Sequence, residues 1–239
     1  MQRLWGFDNL PNIEHAVATV GSYDGVHLGH KVLIDTTIQR AKQRGGKSVV
    51  ITFEPHPRIT LGRAEGLKLL TTTAEKETLL SQLGVDYMLI IPFDKSFSEL
   101  SHESFVKDYL IDKLHIEELI VGYNHRFGHN KGGNYENISS SLEVSRIVQQ
   151  LVENNRVSST IIRTTIEQGD LELAVQLLGH TYIIIGNSDQ NGFIATDSYK
   201  LLPPPGRYRA TVNGVESEVC VVEGGVNCSI NNQQITIEL

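Results

Sequence analysis

Cysteine is nearly missing from this chain of 239 residues, which holds Cys220 and Cys228 alone. Two thiols exclude a disulfide framework or a four-cysteine zinc site and read as core thiols. Long apolar runs are missing as well. Stretches such as 182–186 fall far short of the ~20 residues needed to cross a bilayer. The first residues, MQRLWGFDNLPNIEH, have neither a basic start nor an apolar run. No signal peptide is read there, and the N-x-[ST] triplets at Asn137 and Asn227 count as chance matches. Positive charge is in deficit, with 21 Lys and Arg against 28 Asp and Glu and a net charge of −7. That balance argues against a nucleic-acid or membrane-surface partner, because phosphate backbones reward lysine and arginine. No segment recurs at a period between 20 and 50 residues, which excludes a solenoid. The expectation that survives is a cytoplasmic globular protein, 40% hydrophobic, with one large domain or a domain and a small companion. A small phosphorylated ligand is still allowed, since a few local groups suffice to hold it.

What is present is a strand–helix alternation up to about residue 180. Apolar, β-rich runs at 16–20 (AVATV), 48–53 (SVVITF), 87–91 (YMLII) and 118–121 (ELIV) lack polar alternation, as strands buried on both faces do. Helix-length segments at 30–44, 72–83 and 101–114 lie between or beside them. The first turns Ile34, Ile38 and Ala41 to the core, and the second opens with Thr72 and Glu75 in a capping box. The fold class is therefore α/β, a doubly wound parallel sheet. After residue 180 the texture changes. A strand-like 181–186 and a stiff LLPPPG connector at 201–206 precede a hairpin signal at Asn213-Gly214. A last hairpin is expected to turn near Asn231-Asn232. This reads as a small antiparallel β unit of about sixty residues, marginal on its own.

Two tempting signatures fail. Gly46-Lys47-Ser48 imitates the end of a P-loop, but the earlier glycine falls on Ala41 and a strand follows. His102-Glu103 lacks a second histidine one helical turn on, where Val106 stands.

The informative segment is GSYDGVHLGH, residues 21–30, between the first strand and the first helix. Gly21, Gly25 and Gly29 permit tight turns, and a helix N-terminus offers N–H groups and partial positive charge to phosphate. His27 and His30 are placed to converge on one phosphate. A glycine-rich turn with two incidental histidines is the bland alternative. In VSSTIIR, residues 157–163, Ser158 is a natural N-cap, the hydroxyls form an anion cradle, and Arg163 follows one turn later. Alone, it is a routine helix start. VGYNHRFGHNKGG (121–133) and TFEPHPR (52–58) are loops past the fourth and second strands. The former suits a nucleotide, and in the latter Phe53 is placed to pack on a flat ring. Ordinary loop chemistry explains either one singly. All four segments fall at the same, C-terminal edge of the predicted sheet, where α/β folds bind ligands.

GSYDGVHLGHK, TFEPHPR, LLTTTAEK, VGYNHRFG and SSTIIR, in this order, resemble the FMN adenylyltransferase module of bacterial FAD synthetases. These are HxGH nucleotidyltransferases, a Rossmann-like group that includes pantetheine-phosphate and nicotinamide-mononucleotide adenylyltransferases. The match spans roughly residues 15–186. It implies substrates ATP and FMN, with Mg²⁺ carried on the ATP phosphates and no metal ligand assigned to the protein. It implies that His27 and His30 stabilise the α-phosphorus, and that Ser158, Ser159, Thr160 and Arg163 hold the departing pyrophosphate. Gly21, Ser22, Tyr23, Asp24, Gly25, Gly29, Asn124 and Arg126 would meet ATP. Phe53, Pro55, His56, Pro57 and Phe127 would border the flavin. Tyr23 stands where Phe is usual, and His125 where an aromatic is frequent.

Family members usually continue into a riboflavin kinase barrel, and here the likeness fades. LLGHTY at 177–182 resembles its opening. The expected G-F-P-T-A-N is replaced by Gly192-Phe193-Ile194-Ala195-Thr196-Asp197, and Glu238 falls at a frayed terminus. The expected domains are 1–180, an FMN adenylyltransferase, and 181–239, a truncated kinase-like unit without activity. Alternatives are a bifunctional enzyme, an adenylyltransferase for another acceptor, and a non-catalytic flavin or nucleotide sensor.

Overall fold

The computed structural model describes residues 1–122, 142–147 and 157–239. They fall into two compact units. The first holds Met1–Tyr23, Gly29–Glu65 and Leu79–Arg156, the second Asp24–Leu28, Gly66–Thr78 and Val157–Leu239. Compactness thus divides the chain along other lines than the motif boundary at 180.

In the first unit β1 (Gln2–Trp5), β2 (Ala16–Val20), β3 (Ser48–Glu54), β4 (Tyr87–Pro92), β5 (Ile116–Gly122) and β6 (Glu143–Ile147) form one sheet. Its order is β1-β4-β3-β2-β5-β6, and every pairing is parallel. The four strands read from apolar runs are its centre. Two strands went unread: β1, and β6 with its polar EVSRI sequence. Both are edge strands, half relieved of the need for apolar side chains.

Alternation within the strands supplies two faces. Ala16, Ala18, Val20, Val49, Ile51, Leu89 and Ile91 pack with Phe105, Val106 and Leu110. Val17 and Ile120 pack with Ala41, Val32 and Leu33 of α1 (Leu28–Gln43) on the other. The doubly wound expectation holds. Helix α1 buries Ile34, Ile38 and Ala41 as the pattern requires. Two short helices follow β3 and β4, α2 (Pro57–Thr60) and α4 (Lys95–Ser98), with α3 (Thr73–Gln82) between them. The helix expected over 101–114 is instead one turn, α5 (His102–Ser104), running into a π-helix at Phe105–Ile111. The wider winding puts Phe105 and Leu110, five residues apart, on one buried face.

The second unit carries α6 (Ser159–Glu167), α7 (Leu171–Leu178) and an antiparallel sheet. Its strands are β7 (Ile183–Asn187), β8 (Phe193–Ala195), β9 (Gly206–Val212), β10 (Val215–Val222), β11 (Gly225–Asn227) and β12 (Gln234–Glu238). The order is β7-β12-β9-β10-β11-β8, and a bridge from Ser188 to Ile194 curls the two ends together toward a barrel. Asn213 and Gly214 turn β9 into β10 with φ of 48° and 81°, the left-handed pair of a type I′ turn.

Two expectations are corrected here. No hairpin joins across Asn231-Asn232, because β12 pairs with β7 and β9, whereas β11 pairs with β10 and β8. Nor is Glu238 frayed. It lies opposite Ile183 in the ladder, and Tyr182 and Leu239 exchange both backbone hydrogen bonds.

Candidate active site

The loop between β2 and α1 is built residue by residue. Gly21 N donates to Ile51 O at 3.0 Å, carrying the parallel ladder one step past the strand. Thr52 Oγ1 donates to Ser22 O at 3.2 Å. Tyr23 is fully buried with a left-handed φ of 47°. Its hydroxyl meets Thr19 Oγ1 at 2.5 Å, and its ring lies edge-on to His30, centroids 5.1 Å apart. Burial pushes the Tyr23 phenol well above its ordinary range, so it stays a neutral hydrogen-bonding wall.

Residues 24–28 belong to the second unit. Asp24 is the knot of that unit's polar bonds. Its Oδ1 accepts from Leu70 N at 2.8 Å and Thr71 N at 3.1 Å, and its Oδ2 takes Arg163 Nη2 at 2.7 Å. Its carbonyl accepts from Ser159 Oγ at 3.0 Å. Gly25 N donates to Thr71 Oγ1 at 3.0 Å, and Gly25 O faces His180 Nε2 at 2.9 Å. A Cβ on Gly25 would sit 2.6 Å from Leu70 Cδ1, so only glycine fits.

His27 follows, 6% exposed. Burial lowers its pKa to about 4; Asp24 pulls it back up in part, while His180 and Arg163 press it lower. A hydrogen bond to its own backbone also opposes the burial effect, and at neutral pH His27 is an uncharged imidazole.

Helix α6 opens where expected. Ser158 is its N-cap, with Oγ accepting from Ile161 N at 3.3 Å. The hydroxyls of Ser158 and Ser159 and the Nη2 of Arg163 all have protein partners, so the cradle read from sequence is part of the second unit's own framework. Thr160 is exposed at the first turn, where helix N–H groups lack intrahelical acceptors.

Past β3, Phe53 packs in an aromatic cluster with Phe93 at 5.3 Å and Phe97 at 6.3 Å between centroids. Pro55 is exposed, His56 caps α2 by accepting from Arg58 N at 3.2 Å, and Pro57 begins that helix. Asn124, Arg126 and Phe127, with His125, lie outside the described residues. Gly29 is buried in the first turn of α1. Among the described residues no group of three or more His, Cys, Asp or Glu is arranged to hold a metal ion, and no helix is long and apolar enough to cross a membrane.

Residues 10–165, more than half of the chain and the span containing the H-x-G-H loop, match the FAD synthetase family. The chain belongs to that family. The bifunctional riboflavin kinase/FMN adenylyltransferase of Listeria monocytogenes is 34% identical to it, over 93% of this chain and 76% of that protein. The protein of the same name from Bacillus subtilis is 33% identical, over 86% of this chain and 71% of its own length. A crystal structure described as a macrolide-efflux protein from Streptococcus pneumoniae matches with a TM-score of 0.80 at 21% identity, covering 99% of this chain and 96% of that one. At that identity the likeness speaks for the fold alone.

In this member of the family, sequence reasoning missed the groups that hold the loop. Thr71 and His180 bond to Gly25, yet neither was singled out for it. It also missed a buried ion pair. Lys200 Nζ reaches Glu75 Oε2 at 2.7 Å, Leu70 O at 2.8 Å and Ile183 O at 2.9 Å, with both side chains at most 1% exposed. The capping box at Thr72 and Glu75 marked one end of that pair. Nothing local marked Lys200, 125 residues away.

Proposed function

We propose that this chain transfers the adenylyl group of ATP to FMN, giving FAD and pyrophosphate. The family match across the H-x-G-H loop carries the reading, and the clamping of that loop by Asp24, Thr71 and Arg163 supports it. A phosphate oxygen of FMN attacks the α-phosphorus in line. A new P–O bond forms as the bond to the bridging oxygen breaks, and pyrophosphate departs; Mg²⁺ brought with ATP would supply countercharge to the phosphates. No protein nucleophile is needed, because the attacking phosphate is already anionic. The residues position and stabilise charge.

In this reading His27 contacts the ATP phosphates. His30 assists at the α-phosphorus. The first-turn N–H groups of α6, with Ser158, Ser159 and Thr160, and the Arg163 donors beyond Nη2 hold the pyrophosphate. Gly21, Ser22, Tyr23, Asp24, Gly25, Gly29, Asn124 and Arg126 line the ATP side; Phe53, Pro55, His56, Pro57 and Phe127 line the flavin side. The reaction is assigned to the cytoplasm, with no nucleic-acid or membrane partner.

Residues 1–180 supply the groups assigned to the substrates, and 181–239 resemble a kinase unit without its activity. Thr196 Oγ1 donates to Gly224 O at 3.2 Å, and Asp197 Oδ1 accepts from Tyr199 N at 2.7 Å. The residues standing in the kinase motif are thus engaged in the unit's own turns. The test supplies FMN with MgATP, then riboflavin with MgATP, and separates the products by chromatography. FAD is expected from the first and no FMN from the second. Absence of FAD sinks the main reading, and FMN made from riboflavin sinks the loss of kinase activity. His27→Ala should slow FAD formation by about 10²–10³-fold.

A further inference from the structure

The Gly25–Val26 peptide is held in an uncomfortable orientation. Val26 is β-branched and buried, yet its φ is 42°, in the left-handed region that such side chains avoid. Turning this one peptide plane over, by about half a turn, would carry Val26 to negative φ without moving the chain ends. The same flip would withdraw Gly25 O from His180, whose Nε2 lies 2.9 Å away. A carbonyl oxygen only accepts, so Nε2 donates. His180 follows Gly179, the left-handed cap of α7. A Cβ on Gly179 would approach Leu28 Cδ2 to 2.3 Å, so this corner also grips the residue after His27.

We propose that His180 is a positioning residue for adenylyl transfer: its hydrogen bond to Gly25 O holds the strained Gly25–Val26 peptide, and with it the placement of His27. In a trans peptide the C=O and N–H point opposite ways. Fixing Gly25 O on His180 therefore also fixes the direction of the Val26 N–H. This assignment rests on the adenylyl-transfer reading of the loop given above.

The experiment is a double-mutant cycle on the full chain. FAD formation is followed at saturating FMN with MgATP varied, for His180→Ala, His180→Gln, Val26→Gly and His180→Ala/Val26→Gly. His180→Ala should lower kcat/KM for ATP about tenfold, the worth of one hydrogen bond to a constrained group, with KM for FMN unchanged. His180→Gln, which keeps an amide N–H for Gly25 O, should recover most of the loss. It also carries the test if the alanine variant folds poorly. In the Val26→Gly background the strain is gone, and the His180→Ala loss should shrink below about threefold. A loss of equal size in both backgrounds, or none in either, overturns the proposal, because a merely structural role would not couple to Val26. A crystal structure of His180→Ala gives a readout apart from turnover, with Val26 expected at negative φ. Val26 found still near its wild-type φ overturns the latch. A wild-type protein that makes no FAD, with Val26 flipped in the variant, refutes the adenylyl reading and leaves the latch standing.

Discussion

His27 couples a catalytic assignment to a measurable property of the folded protein. Its pKa drops from 6.5 to about 4, chiefly through burial. The unfolded chain takes up a proton near pH 6.5, whereas the folded one waits until about 4. Its contribution is thus fully present above pH 6.5 and is lost as the pH falls toward 4, by no more than about 3 kcal/mol. A His27→Gln variant lacks this titration. The stability advantage of wild type over that variant, from urea unfolding, should therefore fall steadily between pH 7 and pH 4. A difference that stays flat across that window would show that His27 is not buried neutral. The pair of histidines was legible in the sequence because H-x-G-H is a local pattern after a strand. The burial that neutralises His27 was not, since it depends on partners such as Arg163 and His180, far along the chain.

Local chemistry and distant pairing part company at the level of elements. The Thr72/Glu75 capping box was readable and is present, with Thr72 N donating to Glu75 Oε2 at 2.8 Å and Glu75 N to Thr72 Oγ1 at 3.3 Å. What the pattern did not show is that Glu75 also accepts from Ile185 N of β7 at 3.0 Å and pairs with Lys200. Burial presses the Lys200 ammonium below its ordinary range, and Glu75 pulls the other way. Lys200→Met alone strands a buried carboxylate, and its expected cost is about 3–5 kcal/mol in urea unfolding. The double change Glu75→Gln/Lys200→Met should recover most of that, because a neutral amide can still accept from Thr72 N or Ile185 N. Single and double variants of equal stability would mean the pair is not linked as described. The Asn213-Gly214 hairpin was legible because two left-handed residues are a property of two residues. The partners of β12 were not, because the turn before it leaves pairing open to any exposed edge.

For the whole molecule, the consequence is that residues 24–28 of the H-x-G-H loop and the C-terminal strands share a unit. Asp24–Leu28, Gly66–Thr78 and Val157–Leu239 are one compact body, stitched by Asp24 to Arg163, Gly25 to His180, and Leu69 N to Tyr199 O at 2.7 Å. A chain cut after residue 180 would lose Lys200, Tyr199 and all of β7–β12. It should make no FAD from FMN and MgATP, even where circular dichroism still reports the parallel sheet. Full activity in that fragment would show that 1–180 is self-sufficient and that the β unit is dispensable for transfer. By itself the sequence determined the buried parallel strands, the helix faces, the type I′ turn and the family motifs, because each rests on residues a few positions apart. Tertiary structure alone decided the edge strands, the π-helix under Phe105 and Leu110, the neutral state of His27 and the anchoring of Gly25 by His180. Those depend on burial and on bonds between segments far apart in the chain, where desolvation and packing override local preference.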